Sequence, residues 1–147
     1  MNDKYFFKVI LLGDSATGAK TSLMLRIVNN TFSEWMISTI GFSYTIYRVE
    51  TKYGIVKLQI YDTAGQEKYR NFAINNYRGT HCFILGYDIT NEYSFKNIKN
   101  YFYDSIIEDL DVNPIKNPLI YLVANKIDLS DRIQVSDEEA MSFANEK

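Results

Sequence analysis

The stretch of this 147-residue chain best equipped for chemistry is Lys57-Leu58-Gln59-Ile60-Tyr61-Asp62-Thr63-Ala64-Gly65-Gln66-Glu67. Leu58 and Ile60 alternate onto one face, and the pattern then breaks at a carboxylate and a glycine-containing turn. A lone Asp at the end of a strand suits a hydrated Mg²⁺, because this hard cation keeps its waters and is held through one or two carboxylates plus substrate phosphates. Gly65 lets backbone approach a ligand, and Gln66 offers both an acceptor and a donor to orient an attacking water. The plainer reading of the same residues is a strand followed by an Asp-initiated turn.

Two further stretches carry compatible chemistry. Gly13-Asp14-Ser15-Ala16-Thr17-Gly18-Ala19-Lys20-Thr21-Ser22 follows an apolar run and precedes a helical pattern. In such a phosphate cradle, backbone N–H groups and the helix N-terminus face the phosphates, Lys20 reaches the β/γ oxygens and the Thr21 hydroxyl ligates Mg²⁺. The usual spacing Gly-x-x-x-x-Gly-Lys-[Ser/Thr] would place the lysine at position 19, where this chain has Ala19. Either the loop carries one inserted residue before an intact Lys20-Thr21 pair, or the cradle is damaged. Aligned on Lys20, the pattern replaces its preceding glycine with Ala19, whose methyl is expected to crowd the phosphate. The second stretch is Asn125-Lys126-Ile127-Asp128 at the end of a strand. Asp128 can accept from the ring N–H and exocyclic amine of guanine, a donor pair adenine lacks, and a site built for such donors rejects the analogue without them. The stem of Lys126 can lie over the base and Asn125 can brace the loops, although an Asx turn after a strand explains the same three residues. Thr39 can give Mg²⁺ a second hydroxyl, or simply be a β-favouring residue at a strand entry.

Positioning these groups takes alternating strands and helices. Residues 6–12 read as a buried parallel strand, and Leu23, Ile27 and Val28 recur at helical spacing from a start near Lys20 or Thr21. Residues 42–50 and 55–61 form a hairpin turning at Tyr53-Gly54. Residues 71–77 are weakly helical, and residues 82–87 are a buried strand ending at Asp88. Thr90 or Asn91 caps a helix whose stripe of Phe95, Ile98, Phe102 and Ile106 is core packing. Pro114 and Pro118 bracket a loop before an apolar strand over 119–124, and Ser136-Asp137-Glu138-Glu139 is a capping-box start for a helix through Phe143. The expected fold is α/β, a mostly parallel sheet flanked by helices, in one domain over residues 1–147.

The bulk numbers narrow the classes. With 46% hydrophobic residues the chain is globular, and a net charge of -2 gives no general pull toward nucleic acid or anionic lipid, so phosphate must be held locally. Cys82 is the sole cysteine, which excludes an internal disulfide and a cysteine metal cage and fits a reducing compartment. The N-terminus shows no secretory h-region and no Gly at position 2, and no apolar run reaches membrane-spanning length. A cytoplasmic protein is expected.

With these residues in hand the chain resembles the Ras superfamily of small GTPases, and within it the Rab family. The likeness rests on the Asp62-Thr63-Ala64-Gly65-Gln66-Glu67 turn, on Asn125-Lys126-x-Asp128, and on the Rab-like segments Ile40-Gly41-Phe42-Ser43-Tyr44, Lys57-Leu58-Gln59-Ile60-Tyr61, Lys68-Tyr69-Arg70, Tyr77-Arg78-Gly79 and Tyr87-Asp88-Ile89-Thr90. The resemblance implies a P-loop fold and a GTP/GDP switch in membrane traffic, with Mg²⁺ as cofactor. Lys20 holds the β/γ-phosphates, Thr21 and Thr39 ligate Mg²⁺, and Asp62 holds it through water. The Gly65 amide contacts the γ-phosphate, Gln66 positions the hydrolytic water, Phe32 flanks the guanine, and Asn125, Lys126 and Asp128 read it. Gln66, Lys20 and Thr39 are thus the implied catalytic set. Switch segments near residues 31–41 and 62–77 would order around the γ-phosphate, and activating proteins, exchange proteins and effectors would dock there and on Tyr44, Tyr61 and Tyr77.

The family pattern continues with a further strand, a Ser-Ala-Lys type loop, a packing helix and a tail of prenylatable cysteines. The sequence stops at Lys147 before these. An apolar sheet face is then expected to lie partly uncovered, at ~25 cal/mol per Å². A fragment, a cover from another chain and a truncated, weakly binding relative all fit. Membrane association is expected only indirectly or through such a tail. Two rivals stand beside the slow GTPase: a pseudo-GTPase acting as a binding module, and an ATP-using P-loop kinase, which Asp128 and the lack of a lid-like Arg cluster disfavour.

Overall fold

The computed structural model describes residues 5–17, 19–33, 42–64 and 76–147. Five strands form one sheet in the order β2-β3-β1-β4-β5. These are β1 (Tyr5–Leu12), β2 (Phe42–Thr51), β3 (Gly54–Thr63), β4 (Cys82–Asp88) and β5 (Leu119–Asn125). β1 pairs in parallel with β3 and β4, β4 in parallel with β5, and only β2 runs antiparallel, as the hairpin partner of β3. The mostly parallel α/β sheet expected from the sequence is therefore the fold.

Alternation along β1 divides the core. Val9 and Leu11 meet Met24 and Ile60 on one face, under α1 (Thr21–Asn29). Ile10 and Leu12 turn to the other face, where Phe83, Leu85 and Tyr87 of β4 pack on a long helical stretch. That stretch runs from α2 (Glu92–Asn97) through a π-helical turn (Ile98–Phe102) into α3 (Tyr103–Leu110). Its stripe of Phe95, Ile98, Phe102 and Ile106 is buried as expected, and each side chain removed from water contributes roughly 1.5–3 kcal/mol. Asn91 is the cap, its side chain accepting from the amides of Tyr93 and Ser94. Ser136 caps α4 (Asp137–Glu146) by accepting from the Glu139 amide at 3.1 Å, and Ala140 and Phe143 close the same core.

Two sequence expectations change. Ile27 is exposed rather than part of the inner face of α1, because Met24 takes the buried place and Leu23 and Val28 flank it. The partly uncovered apolar sheet face is found as expected: β5, an edge strand, leaves Leu119 and Tyr121 exposed on the same face as Phe7. Tyr77 is wholly buried against Phe83, its hydroxyl 3.3 Å from Ser105 Oγ, and burial pushes its phenol far above the ordinary range. Tyr77 therefore belongs to the core and not to a docking surface. The helical expectation over 71–77 falls mainly outside the described residues. No helix among the described residues is long and apolar enough to cross a membrane.

Candidate functional site

The carboxyl ends of β1, β3, β4 and β5 converge on one edge of the sheet. α1 leaves β1 over one face and α2 leaves β4 over the other, so the chain diverges between β1 and β4, where parallel α/β sheets form their ligand crevice. The loop after β1 occupies that crevice. Asp14 organises it: its carbonyl accepts from Lys20 Nζ at 2.5 Å and from the Thr17 hydroxyl at 3.1 Å, and its carboxylate accepts from Asn97 Nδ2 at 2.6 Å. Asn97 sits just before the π-helical turn, a feature that recurs at functional sites.

Lys20 stands immediately before α1, and its carbonyl accepts the first helical bond from the Met24 amide. Only 6% of it is exposed. Burial lowers its pKa to about 8 against the opposing pull of Asp62 and Asp14, so an anion placed there would restore the charged form. The next residue, Thr21, donates its hydroxyl to Asp62 Oδ2 at 2.5 Å. Asp62 is buried at the end of β3, opposite Leu11 in register, and Thr63 Oγ1 ties the two strand ends by donating to the Leu11 carbonyl at 2.8 Å. The one-residue displacement of the lysine has therefore not separated Lys20, Thr21 and Asp62.

The second half of the site hangs from β5. Asn125 Nδ2 donates to the Thr17 carbonyl at 2.7 Å, bracing the loop after β1. Lys126 adopts a left-handed φ of 63° and spans the crevice, its Nζ 3.1 Å from the Ala16 carbonyl and 2.6 Å from Asp88 Oδ2. Burial alone would raise the Asp88 carboxyl, but Lys126 and the hydroxyl and amide of Thr90 hold it below the usual carboxylate range. A cavity of about 540 Å³ opens on the outer side of Lys126, lined by Leu23, Phe32, Asn125, Asp128 and Leu129 among others. Ser22 also lines it, while Ser15 lines a neighbouring polar cavity of about 430 Å³ that shares Ala16 and Lys126. Phe32 is 62% exposed, a flat apolar wall rather than a core residue.

The structure thus brings together Gly13, Asp14, Ala16, Thr17, Ala19, Lys20, Thr21, Asp62, Asn125 and Lys126, with Phe32 and Asp128 at the cavity mouth. The Ala19 methyl lies against Gly86 of β4. Gly18, Thr39, Gly65 and Gln66 lie outside the described residues. Sequence reasoning missed Asp88, Thr90 and Asn97. The first two had a signal, since Asp88 closes β4 in register with Asn125 at the end of β5. Asn97 had none, because nothing local joins it to Asp14. On the outer hairpin Tyr44 pairs with Tyr61 at 5.3 Å between ring centroids, and Tyr44 is 56% exposed. Burial, then the neighbouring Tyr44, raises the Tyr61 phenol.

A profile of the Ras family matches residues 8–147, and the chain belongs to that family, on its Rab-like side. It is 44% identical over 140 residues to the Ras-related protein Rab-1 of Theileria parva, covering 95% of this chain and 61% of that protein. The Rab-1 of Theileria annulata is also 44% identical, over 135 residues, with 59% of its length covered. The Arabidopsis thaliana protein RABD2c is 41% identical over 142 residues, 67% of its length. The chain therefore spans about three fifths of the length of the Theileria relatives.

Proposed function

We propose that this chain is a single G domain that binds GTP and GDP with Mg²⁺ and slowly hydrolyses GTP, serving as a Rab-type switch in membrane traffic. The observation that carries this reading is the convergence of Lys20, Thr21 and Asp62 at the ends of β1 and β3. A buried lysine, still mostly charged at neutral pH, and an Asp–Thr oxygen pair together form a receptacle for a polyphosphate and its counter-ion. No group of three or more His, Cys, Asp or Glu among the described residues could cage a metal. The donors present are hard oxygens, as Mg²⁺ prefers, and Thr21 with Asp62 would hold it while phosphate and water oxygens complete the shell. Bound there, the ion would neutralise charge on the phosphates.

The chain's own residues supply the rest. Lys20 would donate to the β/γ oxygens, and the amides of the loop from Gly13 would line the phosphates. Lys126 and Phe32 would flank the base while Asp128 accepts from its two donors. Gln66 and Thr39 are assigned to the hydrolytic water and to the metal by family likeness alone. Hydrolysis should be slow unaided, and an arginine supplied by an activating protein would add ~10³ to 10⁵ in rate. Exchange proteins and effectors would read the switch segments together with the exposed Tyr44 and the half-buried Tyr61 beside it.

The rival reading, a nucleotide-locked binding module, draws support from the longer loop and Ala19. Single-turnover hydrolysis of labelled GTP, with and without an activating protein, compares this chain with Gln66→Leu. The expected outcome is phosphate release from the parent that the variant loses. If both retain GTP unhydrolysed with the activator present, the binding module stands and the enzyme does not. Displacement of GTP by ATP at comparable concentration would discredit the guanine reading.

A further inference from the structure

β4 has a glycine, Gly86, in the middle of a buried apolar strand, where it contributes no side chain to the core. Its backbone does not require glycine, since the positive-φ glycines are Gly13, Gly54 and Gly79. Space does. A Cβ on Gly86 would lie 2.2 Å from the Ala19 Cβ, 3.1 Å from its carbonyl oxygen and 3.3 Å from its Cα. On the other flank Gly13, at φ +146°, brings its own backbone so close that a Cβ there would lie 2.2 Å from the Gly86 carbonyl oxygen. Gly13 and Ala19, from the two ends of the phosphate loop, thus both press on this one residue of β4. Ala19 is only 1% exposed, and it is the residue directly before Lys20 in a loop one residue longer than the usual phosphate pattern.

We propose that Gly86 is a positioning residue for the phosphate grip. The room left by its missing side chain seats Ala19, and this lets the lengthened loop return Lys20 to the Asp14 carbonyl and to the neighbourhood of Asp62. Gly86 acts through Ala19 and touches neither phosphate nor base. The methyl that replaces a glycine next to Lys20 is accommodated by a glycine it meets across the crevice, so positions 19 and 86 form one unit of fixed total volume. This role rests on the reading of the loop as a phosphate site.

The test is a cycle of four proteins: the parent, Gly86→Ala, Ala19→Gly and the pair together. Each is followed by its release rate of labelled GDP and by its thermal midpoint without nucleotide. Overpacking of about 1–3 kcal/mol corresponds to roughly a fivefold to hundredfold change. Gly86→Ala should therefore speed GDP release by about that factor, and adding Ala19→Gly should reverse most of it. The preference for GDP over ADP should hold throughout, because Asp128 is untouched. If Gly86→Ala does not fold, Ala19→Val loads the same contact from the more yielding loop side and should also speed release. The proposal is overturned if the parent holds GDP and the single variants release it at the parental rate. It is equally overturned if the pair is no better than Gly86→Ala alone, or if only the thermal midpoint responds. A parent that holds no guanine nucleotide refutes the site reading itself and this role with it. The parent's own release rate therefore tells the two failures apart.

Discussion

The two ends of the crevice are built on opposite principles. At the end proposed for phosphate Thr17, Ala19, Lys20 and Asp62 are all buried: the Ala19 amide donates to Thr17 Oγ1, Lys20 donates to the Asp14 carbonyl, and Asp62 accepts from the Thr21 hydroxyl. At the end proposed for the base, Asp128 and Phe32 are exposed and line an open cavity. Burial strengthens the electrostatics of the first end and lowers the Lys20 pKa to about 8, which leaves it mostly charged at neutral pH but more easily deprotonated than a free lysine. The second end stays well solvated and gains only what the base itself brings. Large, stability-coupled effects therefore belong to the phosphate end, and smaller ones confined to selectivity belong to the base end.

The widest gap between the ends should appear with Lys20→Met. Removing one member of a buried charged constellation costs roughly 3–5 kcal/mol, so GDP affinity measured by calorimetry should fall by two to three orders of magnitude. The same variant carries a pH signature. Because the pKa of Lys20 lies at about 8 in the folded chain, below the ordinary 10.5, the unfolded chain holds more protons between those values. The penalty is thus present in full below pH 8. Lys20 therefore adds up to about 3 kcal/mol of stability between about pH 8 and about 10.5, while the Cys82 thiol, pushed up to about 11 by burial, works in the opposite direction over the upper part of that window. Urea unfolding across that window should show the parent gaining up to about 3 kcal/mol relative to Lys20→Met, since Cys82 is common to both. A parallel response in both would mean that Lys20 is not the group that titrates.

Asp128→Asn probes the base end. Loss of hydrogen bonds to a charged acceptor, at about 1.5–3 kcal/mol, should cut the preference for GTP over ATP by roughly 10- to 100-fold. The thermal midpoint should not move, and a drop would place Asp128 in the framework instead. The smallest effect is expected where the ends meet. Ala16 has a left-handed φ of 61° and its carbonyl accepts from Lys126. A non-glycine residue there costs about 1–2 kcal/mol, partly offset by glycine's greater freedom when unfolded. Ala16→Gly should accordingly stabilise the nucleotide-free protein by about 0.5–1 kcal/mol in urea unfolding. No gain would mean that the loop relaxes the strain by another route.

Much of this was legible locally. The continuous apolar runs of β1 and β4, the capping residues Asn91 and Ser136, and the stripe from Phe95 to Ile106 each follow from nearest-neighbour patterning. The chemistry at strand ends was legible too, because Asp62 and Asn125 interrupt apolar runs where a chain must turn. Tyr77 was misread as a surface aromatic because an isolated tyrosine carries no periodic signal of which way it faces. Its burial depends on Phe83 and Ser105, which reach it from β4 and α3.

By itself, the sequence determined which residue types stand at the ends of which strands, since alternation, caps and turns are encoded within a few residues of one another. Only the tertiary structure decided which of those ends meet. Thr21 finds Asp62 across 41 positions, and Asn125 finds Thr17 across 108, through the strand order and register of the sheet. The seat that Gly86 offers to Ala19 is of the same kind. A missing side chain acquires meaning only from the atom that packing brings against it.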